Sequence, residues 1–124
     1  MWAGPVENWI AALDRIALLE PDVVVGGHGP PGGLAEVRAL REYWVAVEEA
    51  VAAGAGDDPA TIATRFVASP AYSAAPWGSW RDPERTLVNV ARVAATGQGG
   101  PTSVGTLERL RLLGAMGALG ERLS

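Results

Sequence analysis

The sequence predicts an α/β fragment that is mainly helical. One short buried strand, at about residues 22–26, is expected between two amphipathic helices, followed by further helices of a C-terminal extension. Three observations predict this. Val23-Val24-Val25 is a run of β-branched residues that enters the glycine-rich turn Gly26-Gly27-His28-Gly29-Pro30, the pattern of a strand covered on both faces. Residues 5–19 and 34–53 carry apolar side chains at helical spacing. Asp58-Pro59 and Asp82-Pro83 each read as an N-cap followed by a proline in the first helical turn.

The first helix is predicted over residues 5–19. Pro5 suits its opening position, and Val6, Trp9, Ile10, Leu13, Ile16 and Ala17 fall on one face, away from Glu7, Asn8, Asp14 and Arg15. Pro21 stops it. The strand follows, and glycines on both sides of His28 leave the backbone free to carry the imidazole to the strand's carboxyl end, where open α/β layers keep their chemistry. The second helix, 34–53, has Val37, Leu40, Trp44, Val47 and Val51 as its apolar stripe. Arg38 and Glu42 lie four apart on its outer side, and Gly54 and Gly56 end it. Short helices are expected near 59–68 and 83–95, the latter closed by Gly97. Between them, 69–80 holds Pro70, Pro76, Gly78, Trp77 and Trp80, which suggests an ordered loop. Residues 98–103 read as a flexible break. The tail 106–123 is helical by the spacing of Leu107, Leu110 and Leu113, weakened by Gly114, Gly117 and Gly120. The expected organisation is therefore one domain part at 1–97, then 98–124 as break and weak helix.

Composition narrows the function classes. The 124 residues are 48% apolar, which argues against wholesale disorder. A net charge of −4 with no basic cluster argues against nucleic acid or anionic membrane as partner. All ten basic residues are arginine, which with the Ala and Gly excess reads as coding bias. The absence of cysteine removes disulfides and thiolate metal sites. No apolar run reaches the ~20 residues that span a membrane, and no signal-peptide pattern opens the chain; a cytoplasmic address is the default expectation.

Trp2-Ala3-Gly4-Pro5-Val6-Glu7-Asn8-Trp9 opening a helix, then Leu19-Glu20-Pro21-Asp22, three valines, and Gly27-His28-Gly29-Pro30 occur here in order. That order resembles the end of the metallo-β-lactamase-fold hydrolases. Trp80-Arg81-Asp82-Pro83-Glu84-Arg85 with Asn89 and Val90 resembles the helical extension of some members. The resemblance is stronger over 2–45 than beyond. It implies that His28 matches the last histidine ligand of a two-metal zinc site, in which metal-bound hydroxide attacks an ester, thioester, amide or phosphoester. The family's His-x-His-x-Asp-His loop, its separate downstream histidine and its bridging aspartate are absent, and a chain with one histidine cannot supply them. Gly26 stands where the family usually has proline. By resemblance the chain is the C-terminal portion of such a hydrolase, inactive alone.

Other candidate residues carry structural readings beside the functional ones. Asp22 could be a carboxylate ligand, yet such an aspartate more often caps a turn or meets solvent. Asp57-Asp58 form an acidic pair, with Asp58 explained by capping. Trp9 and Trp44 are expected in the core, with Trp77 and Trp80 pinning the loop; Trp2 is the fifth tryptophan. Arg81 and Arg85 could hold an anion, though pairing with Asp82 or Glu84 on the surface explains them better. The glycines near His28 lack the following Lys and Ser/Thr of a phosphate-binding loop.

A lone strand cannot satisfy its own backbone amides and carbonyls. The expected partners are the missing N-terminal half of the domain, or a second copy in a homodimer. Strand-like use of 85–93 would also serve, but the helical reading of that segment is preferred. The alternative function is a stand-alone helical binding or oligomerisation module descended from the same fold. A metal-independent enzyme with His28 as general base lacks a visible nucleophile.

Overall fold

A computed structural model describes residues 5–97 and 106–123. It is mainly helical. Among the described residues there are six α-helices, α1 (Val6–Leu18), α2 (Leu34–Ala53), α3 (Pro59–Val67), α4 (Pro70–Ala74), α5 (Thr86–Gly97) and α6 (Thr106–Leu123). Two 3-10 turns, Pro76–Ser79 and Pro83–Arg85, join α4 to α5.

The expected buried strand does not form. Between α1 and α2 the chain makes one isolated antiparallel bridge, Val24 to Gly32. Val24 is half-buried, whereas Val23 is 66% and Val25 75% exposed. Three β-branched residues make a good strand only when other strands pair with its edges and other layers cover its faces. The described residues supply Gly32 on one edge and a helical layer under Val24, and nothing else.

α1 and α2 are antiparallel. Asp14 of α1 accepts from Arg41 of α2, and the charge of Glu7, in the first turn of α1, acts on Glu48 late in α2. Burial first, then the Glu7 charge, pushes the Glu48 carboxyl above its usual value. The expected Arg38–Glu42 pair is not made; both side chains are exposed. Of the predicted α1 stripe, Val6 and Leu13 are buried and Ile10 and Ala17 half-buried, while Ile16 is exposed. Trp9, expected in the core, is also exposed.

The core is helix on helix. Val47 of α2, Ala63 of α3 and Val90 of α5 are fully buried, with Leu87 beside them at 1%. Val37, Tyr43, Trp44, Ile62, Val67, Tyr72, Trp77 and Val93 extend the same cluster. Gly54, at the end of α2, is buried because α3 crosses it closely. A Cβ there would stand 2.7 Å from Ile62 Cγ1.

The short helices begin as capping chemistry dictates at one site and not at the other. Asp58 caps α3, its Oδ1 accepting from Ala60 N at 3.0 Å and Thr61 N at 3.1 Å. Asp82 makes no such cap. It sits in the left-handed region, φ 59° and ψ 55°, and its carboxylate instead takes Arg85 Nε at 3.3 Å; a 3-10 turn precedes α5, which begins at Thr86. The loop expected over 69–80 is ordered as α4 and a 3-10 turn. The break expected over 98–103 lies outside the described residues. The helix expected over 106–123 forms as α6. Leu110 and Leu113 are exposed, and Ala115, Met116 and Leu119 face the core. The helix carries leucine on several faces, so spacing alone did not choose the buried one. Among the described residues no helix is long and apolar enough to cross a membrane.

Candidate functional site

His28 is exposed on the turn that follows the Val24 bridge. Gly29 beside it has φ +86°, a conformation that an L side chain adopts only with strain, so the tight turn depends on that glycine. A Cβ at Gly27 or Gly29 would meet nothing within 4 Å. The imidazole thus stands on an open loop. The turn closes onto α2 through Glu36, whose Oε2 accepts from Gly33 N at 2.6 Å. That hydrogen bond holds the Glu36 carboxyl below its usual value, and it fixes where the loop ends relative to the helix.

The structure does not gather ligands around His28. Among the described residues no three His, Asp or Glu side chains are placed to hold a metal ion. Zinc takes three or four protein ligands, so the described residues do not fit a zinc site by themselves. Asp22 is exposed before the bridge. Asp57 is paired with Arg65, Nη1 to Oδ2 3.0 Å, and Asp58 is used as a cap. Arg81 is exposed and Arg85 is paired with Asp82. Trp2 lies outside the described residues.

Sequence reasoning missed a polar cluster in the interior. Asn89 Nδ2 donates to Tyr43 Oη at 2.6 Å, and Tyr43 Oη donates to Thr86 Oγ1 at 3.2 Å. Tyr72 Oη lies 3.5 Å from the same Thr86 oxygen. Burial pushes the Tyr43 phenol above its usual value, opposed by its hydrogen bonds with Thr86 and Asn89. Three aromatic rings surround Tyr43, those of Trp44, Trp77 and Trp80, with centroids 5.4 to 5.9 Å away. Trp44 and Trp77 are buried as expected for core and loop anchor; Trp80 covers Tyr43 from the surface side. The available signal was the Tyr43-Trp44 pair next to the α2 stripe, since a buried tyrosine needs a polar partner from another element. The cluster ties α2, α4 and α5 together and lies on elements other than the loop of His28.

Comparison with protein-family models, curated proteins and solved structures gives no match.

Proposed function

We propose that this chain is the C-terminal segment of a metallo-β-lactamase-like metal-dependent hydrolase, contributing His28 as one metal ligand and inactive alone. The supporting observation is the placement of His28. It is the chain's single imidazole, exposed on a glycine turn directly after an extended segment whose other edge is open. A ligand that shares its ion with groups outside the chain needs that exposure. With one imidazole in the sequence and no cluster of three His, Asp or Glu among the described residues, the isolated chain is expected to make no catalytic zinc site.

Two measurements test this reading. Zinc titrated calorimetrically into the purified chain is expected to show no tight, stoichiometric binding, and no ester or phosphoester hydrolysis above the zinc blank. Tight binding abolished by His28→Ala, or zinc-dependent turnover, overturns the inactivity. The coding sequence upstream of Met1 tests the rest: an in-frame His-x-His-x-Asp-His supports the reading, and its absence sinks it.

One observation favours a second reading, a helical binding or oligomerisation module derived from that fold. Val47, Ala63, Leu87 and Val90 are buried and all lie on helices, which supports a fold that needs no sheet. A cooperative thermal transition without metal supports this reading, and a molten chain, with helical circular dichroism but no fixed tertiary signal, removes it.

A further inference from the structure

Residues 75–82 form a strap seated by a single side chain. Across Pro76–Asp82 only Trp77 is buried, and every other residue is exposed. Among the described residues the hydrogen bonds of the strap stay local. Gly78 N donates to Ala75 O at 2.9 Å, Trp80 N to Trp77 O at 3.0 Å, and Ser79 Oγ to Pro76 O at 3.0 Å. The seat itself is imperfect. Trp77 Nε1 is buried with no acceptor among the described residues, so its N–H has given up water and gained no partner. Backbone strain adds to this. Asp82 holds φ 59° and ψ 55° directly before Pro83, a left-handed state unfavourable for an L residue and more so ahead of proline. Gly78 passes so close to the end of α4 that a Cβ on it would stand 2.6 Å from Tyr72 O and 2.7 Å from Ser73 O. The elements on either side are held separately. α4 is anchored by the buried Tyr72, and the 3-10 turn after Asp82 lies under α6, where a Cβ on Gly120 would meet Glu84 Cγ at 3.6 Å.

We infer that this strap is a gate: residues 75–82 swing away from Tyr43 while the helical core stays folded, with Ala75 and Asp82 as the hinges. Opening lifts Trp77 and Trp80, whose ring centroids lie 5.9 and 5.4 Å from that of Tyr43, and brings water to the cluster of Tyr43, Thr86 and Asn89. Two gains accompany it: the indole N–H finds water, and Asp82 can leave the left-handed region. The burial of the Trp77 ring opposes it, which keeps the closed form dominant. The core does not depend on the strap, because Val47, Ala63, Leu87 and Val90 lie on α2, α3 and α5. Segments with few buried contacts open in this way below the global transition. The gate stands apart from His28 and is independent of the hydrolase reading.

Hydrogen exchange in the unaltered chain, followed by NMR at low urea, tests the gate. The probe is the Trp77 indole N–H, assigned by its loss in Trp77→Phe; the Val47 and Val90 amides report the core. The indole is expected to exchange at least about 100-fold faster than the core amides. Its rate is expected to rise with urea, because opening exposes the Trp77 and Tyr43 rings. Gly78→Ala sets a methyl group against Tyr72 O and is expected to speed the indole at least about 10-fold with the core amides unchanged. An indole that exchanges only with the core, or at a rate that ignores urea, overturns the gate in the unaltered chain. A Gly78→Ala chain whose core amides accelerate equally, or which loses its helices, overturns it too, since the core would then depend on the strap.

Discussion

At the scale of single residues, His28 and Tyr43 are opposites. His28 stands in solvent on a glycine turn, and its removal leaves no cavity and no orphaned partner. His28→Ala is therefore expected to shift stability by less than about 0.5 kcal/mol, the ordinary range for an exposed site; a denaturant melt showing a loss of several kcal/mol contradicts that placement. Tyr43 is buried with its hydroxyl shared by Asn89 and Thr86. Tyr43→Phe strips both of a partner and is expected to cost about 1–2 kcal/mol, read in the same melt. The pH dependence has a definite sign. The folded phenol titrates above its unfolded value of about 10, so its contribution is fully present below that value. It is lost as pH rises from there through the higher folded value, because the unfolded chain releases the proton first. Stability that rises between pH 9 and 11 would contradict this, on the ~10 reference. The sequence disclosed His28 completely, since uniqueness and flanking glycines are written in it. It disclosed Tyr43 only as a helix residue, because its partners lie 43 and 46 positions away.

Among the elements, local chemistry was legible where one residue acts within one turn. α3 begins at Pro59 because Asp58 accepts two backbone donors, and α2 runs over the residues its stripe predicts. Asp58→Ala is expected to cost about 1 kcal/mol, with the lost helicity confined to α3 in amide exchange. Asp82-Pro83 carries the same two letters and behaves otherwise: its carboxylate turns to Arg85 and its backbone goes left-handed. Glu20 does the same after α1, with φ 46° ahead of Pro21, in a position that glycine usually fills. Glu20→Gly is accordingly expected to raise the denaturant midpoint slightly, by up to about 1 kcal/mol, the scale of the left-handed penalty. The valine run shows the limit of such reading. Its residues favour an extended backbone, and Val24 adopts one, but a strand is a property of its neighbours.

For the molecule as a whole, the helices carry the stability and the 19–33 connection carries the open surface. Leu87 is 1% exposed between the fully buried Val47 and Val90. Leu87→Ala is expected to cost about 2–5 kcal/mol, from lost transfer energy and the cavity left behind, measurable as a lower midpoint at unchanged slope. A cost below 1 kcal/mol would mean that the helical core is not the seat of folding cooperativity. The end of α1 and the 19–33 connection are the reverse: Leu18, Leu19, Val23 and Val25 are exposed. The buried core and the exposed apolar residues thus occupy different segments.

The sequence by itself determined that the chain is mainly helical, where α1, α2 and α3 begin and end within a residue or two, and that one imidazole sits on a glycine turn. These follow from spacing, caps and backbone freedom, which act within a few residues. Tertiary structure alone decided that the valine run makes one bridge and no strand, that Trp9 meets solvent, that α6 buries Leu119, and that Tyr43 is held by Asn89 and Thr86. Each depends on what a distant segment brings alongside, and burial and pairing energies are set by those neighbours rather than by the residue that receives them.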